Sequence, residues 1–556
     1  MERGTVLVPG GPRRLTTVAY EPAFDREANL ARMARETFDV CVVGAGINGA
    51  AIARDASMRG LSVALVDAGD FAGATSSASS KLIHGGFRYL PQYQFRLVYS
   101  ALRERELLRH RTAPHLVRPI RFLFPTYRGR GFGHFTMSAG LFLYDLFART
   151  PAGERHRSLD AAGVIEIEPA LARQGLTGGA LYCDAWADDA RVTLENALDA
   201  GIHGAAVANY ARVEGFVGRE KGRAIALRNV LTDRTFELRA RVVVNAAGPW
   251  VDHVRRMDDS GARPSVRLTK GVHLVFPLRK LPVHQALVLS DSEQRIVFVM
   301  PHDSYVLVGT TDTDYSDDPE GVAVNSADIK YLLGVLHASL PSLRIGAEDI
   351  ASSFAGLRAL EVNNRGVSPS SVSREEVILE SAPGMITVAG GKLTTHREIA
   401  DRIVGRIGRG LNRNVGRCPT VETPLPGARA LNDPRAADAL ASLDVDVRDL
   451  LRSRYGTRAS IVAKLAIEDP DLARPLGDGC PAIGAEVVHA VRNEMAHSLA
   501  DFLVRRTSLT WRYPLEAATA GPAAARIMGE QLGWTREREE SECAAFAADL
   551  KRRRAA

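Results

Sequence analysis

Thr75 to Leu90 reads TSSASSKLIHGGFRYL, placing hydroxyls, a lysine, a histidine, a glycine pair and an arginine within sixteen positions. The stretch has no apolar period, so packing alone does not explain it. Small residues let a backbone approach a flat cofactor. Lys81, His84, Arg88 and Tyr89 are groups that hold an anionic substrate and move protons.

The elements that position this segment lie just upstream. FDVCVV (Phe38 to Val43) reads as a buried strand, GAGINGAAIARDASMRG (Gly44 to Gly60) as a glycine turn entering an Ala-rich helix, and LSVALVD (Leu61 to Asp67) as a second strand. Gly44, Gly46 and Gly49 keep the G-x-G-x-x-G spacing, which gives a tight turn, room for a pyrophosphate and close helix–strand packing. Ala45, Ile47 and Asn48 fill that turn, whose helix N-terminus offers N–H groups to phosphate. Asp67 stands where an acid accepts hydrogen bonds from an adenosine ribose, which argues against a ribose 2′-phosphate.

Two later junctions return to the same sheet. ARVVVNAAGPW (Ala240 to Trp250) is a buried strand ending in small residues, and MITVAGGKLTTHREIADRIV (Met385 to Val404) is a strand leading through Gly390 and Gly391 into a helix. A simple two-halved NAD domain has no such distant returns. The pattern describes an FAD domain interrupted by insertions, with the last helix start directed at the flavin.

The ordered set VGAGINGA, RGLSV, TSSASSKLIHGG with RYL, FRLV, APHL, DDAR, NAAGPWV, KGVHLV, RIVFVMP, GTTD and GGKLTT resembles the FAD-dependent glycerol-3-phosphate dehydrogenases of the aerobic, quinone-linked type. The match runs from about Phe38 to Val404, with a fainter echo in ADFLVRRT (Ala500 to Thr507). The resemblance implies oxidation of the C2 alcohol of sn-glycerol 3-phosphate to dihydroxyacetone phosphate, with hydride passing to flavin N5 and electrons to a quinone. An oxygen-using oxidase on the same scaffold and a non-catalytic FAD-binding regulatory subunit are the alternatives.

By the same resemblance, Arg88, Arg358, Arg374 and Lys392 clamp the phosphate and stabilise a developing alkoxide, Tyr89 contacts substrate, and His84 is the general base. Catalysis is assigned to His84, Arg358 and Lys392. The cofactor is expected on the glycine turn and Asp67, on Thr75, Ser76, Ser79, Ser80, Lys81, Leu82, His84, Gly85 and Gly86, on Ala247 and Gly248, and on Gly391, Lys392, Leu393 and Thr394. Three positions depart from the pattern: Phe87 where a smaller aliphatic is usual, Ala359 where proline is commoner, and His396 in place of a tyrosine.

Composition sets the outer bounds. The 556 residues, 46% hydrophobic and 24% charged, suffice for two or three domains. The balance of 71 basic to 65 acidic residues gives +6, too mild for a nucleic-acid binder and compatible with an anionic small molecule or membrane face. Five scattered cysteines without a CxxC pair argue for a reducing compartment and against a zinc site. No run is long and apolar enough to span a bilayer. FGHFTMSAGLFLYDLFA (Phe132 to Ala148), beside several arginines, reads either as a core helix or as a membrane-surface segment.

The expected architecture is α/β (α+β overall). It comprises an N-terminal extension (1–36), a discontinuous Rossmann-like FAD domain (37–110, 191–260 and 351–410), a substrate cap with a mixed or antiparallel sheet (111–190 and 261–350), and an α-helical C-terminal domain (424–556). A peripheral position on the cytoplasmic face of the cell membrane is expected, with a homodimer left open.

Overall fold

The computed structural model describes residues 24–129, 133–218, 223–362, 376–381, 384–429 and 434–554. Thr37–Val43 is the central strand of the first sheet. Val63–Val66 and Ala206–Ala208 follow on one side, Arg234–Asn245 and Ile386–Gly390 on the other, all parallel. Glu376–Glu380 closes one edge antiparallel, and the hairpin of Ala211–Val217 and Arg223–Asn229 extends from Arg234–Asn245.

Such a sheet must be covered on both faces, and the side chains of the central strand alternate between two cores. Val40 and Val42 pack under the helices Ile47–Met58, Asp189–Ile202 and His396–Gly410. Cys41 and Val43 face Leu30 and Met33 of the helix Arg26–Arg35. This last helix corrects the reading of residues 1–36 as an N-terminal extension apart from the FAD domain, since residues 26–35 pack against its sheet. Asp25 caps it at Ala28 N–H, and buried Arg26 donates to Asn209 O at 2.9 Å and Asn229 Oδ1 at 2.7 Å. Residues 1–23 lie outside the described residues.

The second sheet is mixed. Its long antiparallel pairs are Val117–Tyr127 with Leu176–Ala187, and Val266–Pro277 with Ser352–Glu361. Ala286–Ser290 runs parallel to Val117–Tyr127. A second correction follows: Ser352–Glu361, assigned above to the FAD domain, pairs throughout with Val266–Pro277, from Val266↔Glu361 to Val275↔Ser352. The cap therefore contributes this strand, with Arg358 on it.

The C-terminal part is helical, with Val445–Tyr455, Ala459–Glu468, Gly484–Glu494 and Pro514–Leu532 around one apolar core. It docks through buried charge. Within the ADFLVRRT run, Arg505 and Arg506 reach Asp70 at 2.5 and 2.6 Å, while Glu494 pairs with Arg191 at 2.8 Å. No helix among the described residues is long and apolar enough to cross a membrane.

Candidate active site

The glycine turn is built for close approach. A Cβ on Gly49 would stand 1.8 Å from Gly44 O, and one on Gly44, whose φ is +101°, would stand 2.6 Å from Ala246 O. Only glycine fits at either position. Gly46 caps the helix Ile47–Met58, and Ile47 N–H donates to Ser76 Oγ at 2.9 Å, which ties the turn to the TSSASS segment. Asp67 accepts from Ala45 N–H at 2.6 Å and Gly69 N–H at 2.9 Å. Burial pushes its carboxyl up to about 6, opposed by those two N–H groups.

From this turn a long cleft runs between the two sheets. It brings together Gly46, Ile47, Asn48, Thr75, Ser76, Ser79, Ser80, Leu82, His84, Tyr89, Gly248, Arg358, Gly391, Lys392, Leu393 and Thr394 from the expected set. Gly44, Ala45, Gly49 and Asp67 shape the turn behind it, and Ala247, between the lining residues Ala246 and Gly248, donates its N–H to Asn245 Oδ1 at 3.3 Å. The segments are cross-tied: Asn48 Nδ2 donates to Gly390 O at 2.9 Å, Thr75 Oγ1 to Leu357 O at 2.7 Å, and His84 N–H to Thr394 Oγ1 at 3.1 Å. A Cβ on Gly356 would lie 2.6 Å from Ala78 O, so the cap strand passes flush against the TSSASS backbone.

These features fit FAD. A glycine cradle at a helix start faces an acid at the next strand end, and small residues line the long cleft beyond.

At the far end are the cations. Arg358 lies flat over Gly271, where a Cβ would stand 2.3 Å from Nη2. Its guanidinium donates to Thr310 Oγ1 at 2.8 Å, and to Thr311 O and Asp312 Oδ1 at 3.3 Å. Lys392 is 9% exposed and holds Nζ 4.2 Å from the centroid of the buried Tyr89 ring. His84 lines the same cleft, half-buried. Gly85 and Gly86 lie behind it. Gly85 N–H donates to Tyr144 Oη at 2.9 Å, and Gly86 packs against Tyr89, whose ring would lie 2.6 Å from a Cβ there. The side chain of Arg88, and Arg374 entirely, lie outside the described residues.

Lys81 is placed differently from expectation. Its backbone is left-handed (φ 60°), and its side chain is not part of the cleft lining; the ammonium pairs with Asp189 Oδ1 and Ser77 O, each at 2.6 Å. The rings of Phe354 and Trp511 flank it at 5.2 and 5.3 Å. A cation this buried needs its carboxylate more than a cofactor contact. Lys81 thus braces the loop from behind, with Asp189 also accepting from Ser79 Oγ at 2.7 Å.

His273 joins the site although sequence reasoning gave it no role beyond the KGVHLV run. Its Nε2 is 2.9 Å from Ser80 Oγ, and its ring stacks on Phe354 at 4.9 Å. Burial first, then the charges of Arg358 and Lys81, hold its pKa well below the ordinary value, so it is neutral. Only its place in a resemblance-bearing motif signalled it; the surrounding apolar alternation reads as core.

The three departures from the family pattern are accommodated by packing. Phe87 fills space among Phe124, Tyr144 and Tyr182, edge-on to Tyr144 at 5.9 Å. Ala359 is buried with Val251 and Ala389. His396 is buried, with Nδ1 2.7 Å from Leu393 O.

Comparison with known proteins agrees with this geometry. Residues 39–397 match the family described as FAD dependent oxidoreductase, and residues 418–539 match the C-terminal domain of alpha-glycerophosphate oxidase. The aerobic glycerol-3-phosphate dehydrogenase of Staphylococcus haemolyticus is 35% identical over 533 residues, covering 93% of this chain and 94% of that protein. That of Bacillus subtilis is 35% identical over 530 residues, covering 92% and 94%. The solved glycerol-3-phosphate dehydrogenase of Bacillus halodurans, complexed with FAD, superposes with a TM-score of 0.80 at 31% identity, covering 96% of this chain and 98% of that one. The chain belongs to the FAD-dependent oxidoreductases, in the family of the aerobic glycerol-3-phosphate dehydrogenases, and its cofactor is FAD.

Proposed function

We propose that this protein oxidises sn-glycerol 3-phosphate at C2 to dihydroxyacetone phosphate and delivers the electrons to a quinone. The observation that carries this reading is that Arg358, Lys392 and His84 line one cleft with the dinucleotide turn at its other end. When bound, the flavin supplies a two-electron hydride acceptor. The protein's own groups do the rest.

Arg358, held in place by Thr310, Thr311 and Asp312, offers a planar fork to an anionic oxygen. Lys392, desolvated against Tyr89, stabilises negative charge developing on the C2 oxygen. His84 accepts the hydroxyl proton. Neutral His273 orients Ser80 and adds no positive charge that would compete for the substrate. Arg88 and Arg374 are proposed to complete the phosphate clamp on family resemblance alone. Closure of the cap sheet over the cleft keeps water from the reacting carbon.

A quinone dissolves in the bilayer, and the surface carries a feature suited to one. The helices Phe95–Leu107 and His134–Ala148 turn Tyr99, Phe142 and Leu146 outward, exposed by 49%, 64% and 62%. Tyr99 meets Phe147 edge-on at 5.8 Å. The inner face of the second helix buries Met137, Leu141 and Tyr144, so this segment is core on one side and open on the other. Exposed aromatics clustered beside arginines suit the headgroup region of the cytoplasmic face of the cell membrane.

The oxygen-using alternative draws on the C-terminal match to an oxidase domain. A turnover assay with glycerol 3-phosphate decides: reduction of a soluble quinone analogue without stoichiometric peroxide supports the dehydrogenase, and stoichiometric peroxide overturns it.

A further inference from the structure

A second, narrow cleft opens where the cap sheet, the start of the helix Asp189–Ile202 and the C-terminal helices meet. Four guanidinium groups border it: Arg118 from the cap, Arg191 from the helix, and Arg454 and Arg512 from the C-terminal part. None of them lines the cofactor cleft. We infer that this junction is a binding site for a tetrahedral oxyanion, orthophosphate or the phosphate end of a small ester, separate from the substrate site.

The side chains of Arg191 and Arg454 are each 1% exposed. Each has a carboxylate partner behind the cleft, Glu494 at 2.8 Å for Arg191 and Glu486 for Arg454. Nε and Nη2 of Arg191 and Nε of Arg454 nevertheless have no hydrogen-bond partner among the described residues. The nearest further acid, Glu195, is 3.7 Å from Arg191 Nη2. Buried N–H donors of a charged group are costly to leave without an acceptor.

The rim adds two more cations. Arg118 is the cross-strand partner of Trp186, and Arg512 lies over the Trp186 ring, 5.9 Å from its centroid. Arg512 pairs with Asp303 at 2.6 Å, while its Nε has no partner. Lost hydration at the rim, then the like charge of Arg512, hold Arg118 below its ordinary pKa. An anion between the two would relieve that repulsion.

Among the described residues, Asp188 is the one carboxylate bordering the cleft, and both of its oxygens are engaged. Oδ2 accepts from Ser508 Oγ at 2.6 Å and Oδ1 from Arg191 N–H at 3.1 Å. The site therefore combines buried arginines that keep N–H groups without an acceptor and already hold carboxylate partners, with two further arginines in the same lining. Guanidinium forks from four elements match the several oxygens of one phosphate. The cleft is too small for a dinucleotide.

The test uses FAD-loaded protein titrated calorimetrically with orthophosphate at fixed ionic strength, while the flavin spectrum is followed in parallel. Phosphate in the substrate cleft perturbs the flavin; phosphate at the junction does not. Wild type is expected to show a spectrally silent binding event. In R118Q/R512Q that event weakens at least tenfold with the flavin spectrum unchanged, and R118Q alone, on an exposed strand position, serves if the double variant folds poorly. Vesicles containing phosphatidic acid form a second arm. Variant-sensitive binding of orthophosphate assigns a free phosphate, and variant-sensitive binding of vesicles alone assigns a lipid headgroup. No silent event in wild type, or one that both variants keep unchanged together with unchanged vesicle binding, overturns the site. Failure of the substrate assignment would not remove the silent event.

Discussion

Lys81 and Asp189 form a buried ion pair at 2.6 Å directly behind the flavin-facing loop, each side chain at most 1% exposed. The pair joins three parts of the chain, since Asp189 opens a helix of the nucleotide domain and Trp511 of the C-terminal part flanks the ammonium. Asp189 holds Ser79 and lines the cleft beside it, whereas the Lys81 side chain is not part of the lining. K81M should leave Asp189 charged and unpaired at a cost of about 3–5 kcal/mol. Denaturant unfolding of K81M beside K81M/D189N checks this: the double variant should regain part of the loss, and equal stabilities would show that the pair does not matter.

H84N should bind FAD with an unchanged spectrum while flavin reduction by substrate slows by about 10²- to 10⁴-fold, the range of a lost general base. Stopped-flow reduction measures it. A near-normal rate would leave His84 an orienting role only.

Arg358 is held against Gly271 by the absence of a Cβ. R358A should raise KM about 10- to 100-fold, as expected for losing a charge-assisted contact. G271A should have a milder effect of the same kind, because it displaces the guanidinium without removing it. Steady-state kinetics with both variants checks the order.

FAD affinity should depend on Asp67. Its carboxyl has a pKa of about 6 in the cofactor-free protein, and ribose hydroxyls donating to it favour the ionised form. Binding then expels a proton below about pH 6, so affinity is greatest above that pH and falls by up to tenfold per unit beneath it. Equilibrium titration of apoprotein with FAD should show this slope in wild type and not in D67N.

The exposed pair Phe142 and Leu146 should carry membrane contact. F142S/L146S should lower co-sedimentation with anionic vesicles several-fold and leave flavin reduction by glycerol 3-phosphate unchanged, because both side chains point away from the core.

Local pattern made much of this legible in the sequence. The spacing of Gly44, Gly46 and Gly49 and the apolar strand on either side are fixed by contacts within one βαβ unit, and they fold as read. The third junction, Ile386–Gly390 into His396–Gly410, is local in the same way. What the sequence hid is non-local. Nothing in SSFAGLRAL says that it pairs with Val266–Pro277, so the strand carrying Arg358 was credited to the wrong sheet. Lys81 lies among cofactor-facing residues, yet a left-handed backbone and an acid distant in sequence set its direction. His273 was concealed because a buried neutral imidazole is compatible with the apolar run around it. The order of residues 26–36 depended on Asn209 and Asn229, far along the chain.

The central claim is that an anion site and a proton acceptor meet at the flavin end of one cleft. Anaerobic stopped-flow reduction of the bound flavin by sn-glycerol 3-phosphate, set against glycerol and a 2-hydroxy acid, tests it most directly. Rapid bleaching by the phosphate ester and slow or no bleaching by the other two are expected. Equal rates with glycerol, or no reduction by the phosphate ester, would contradict it.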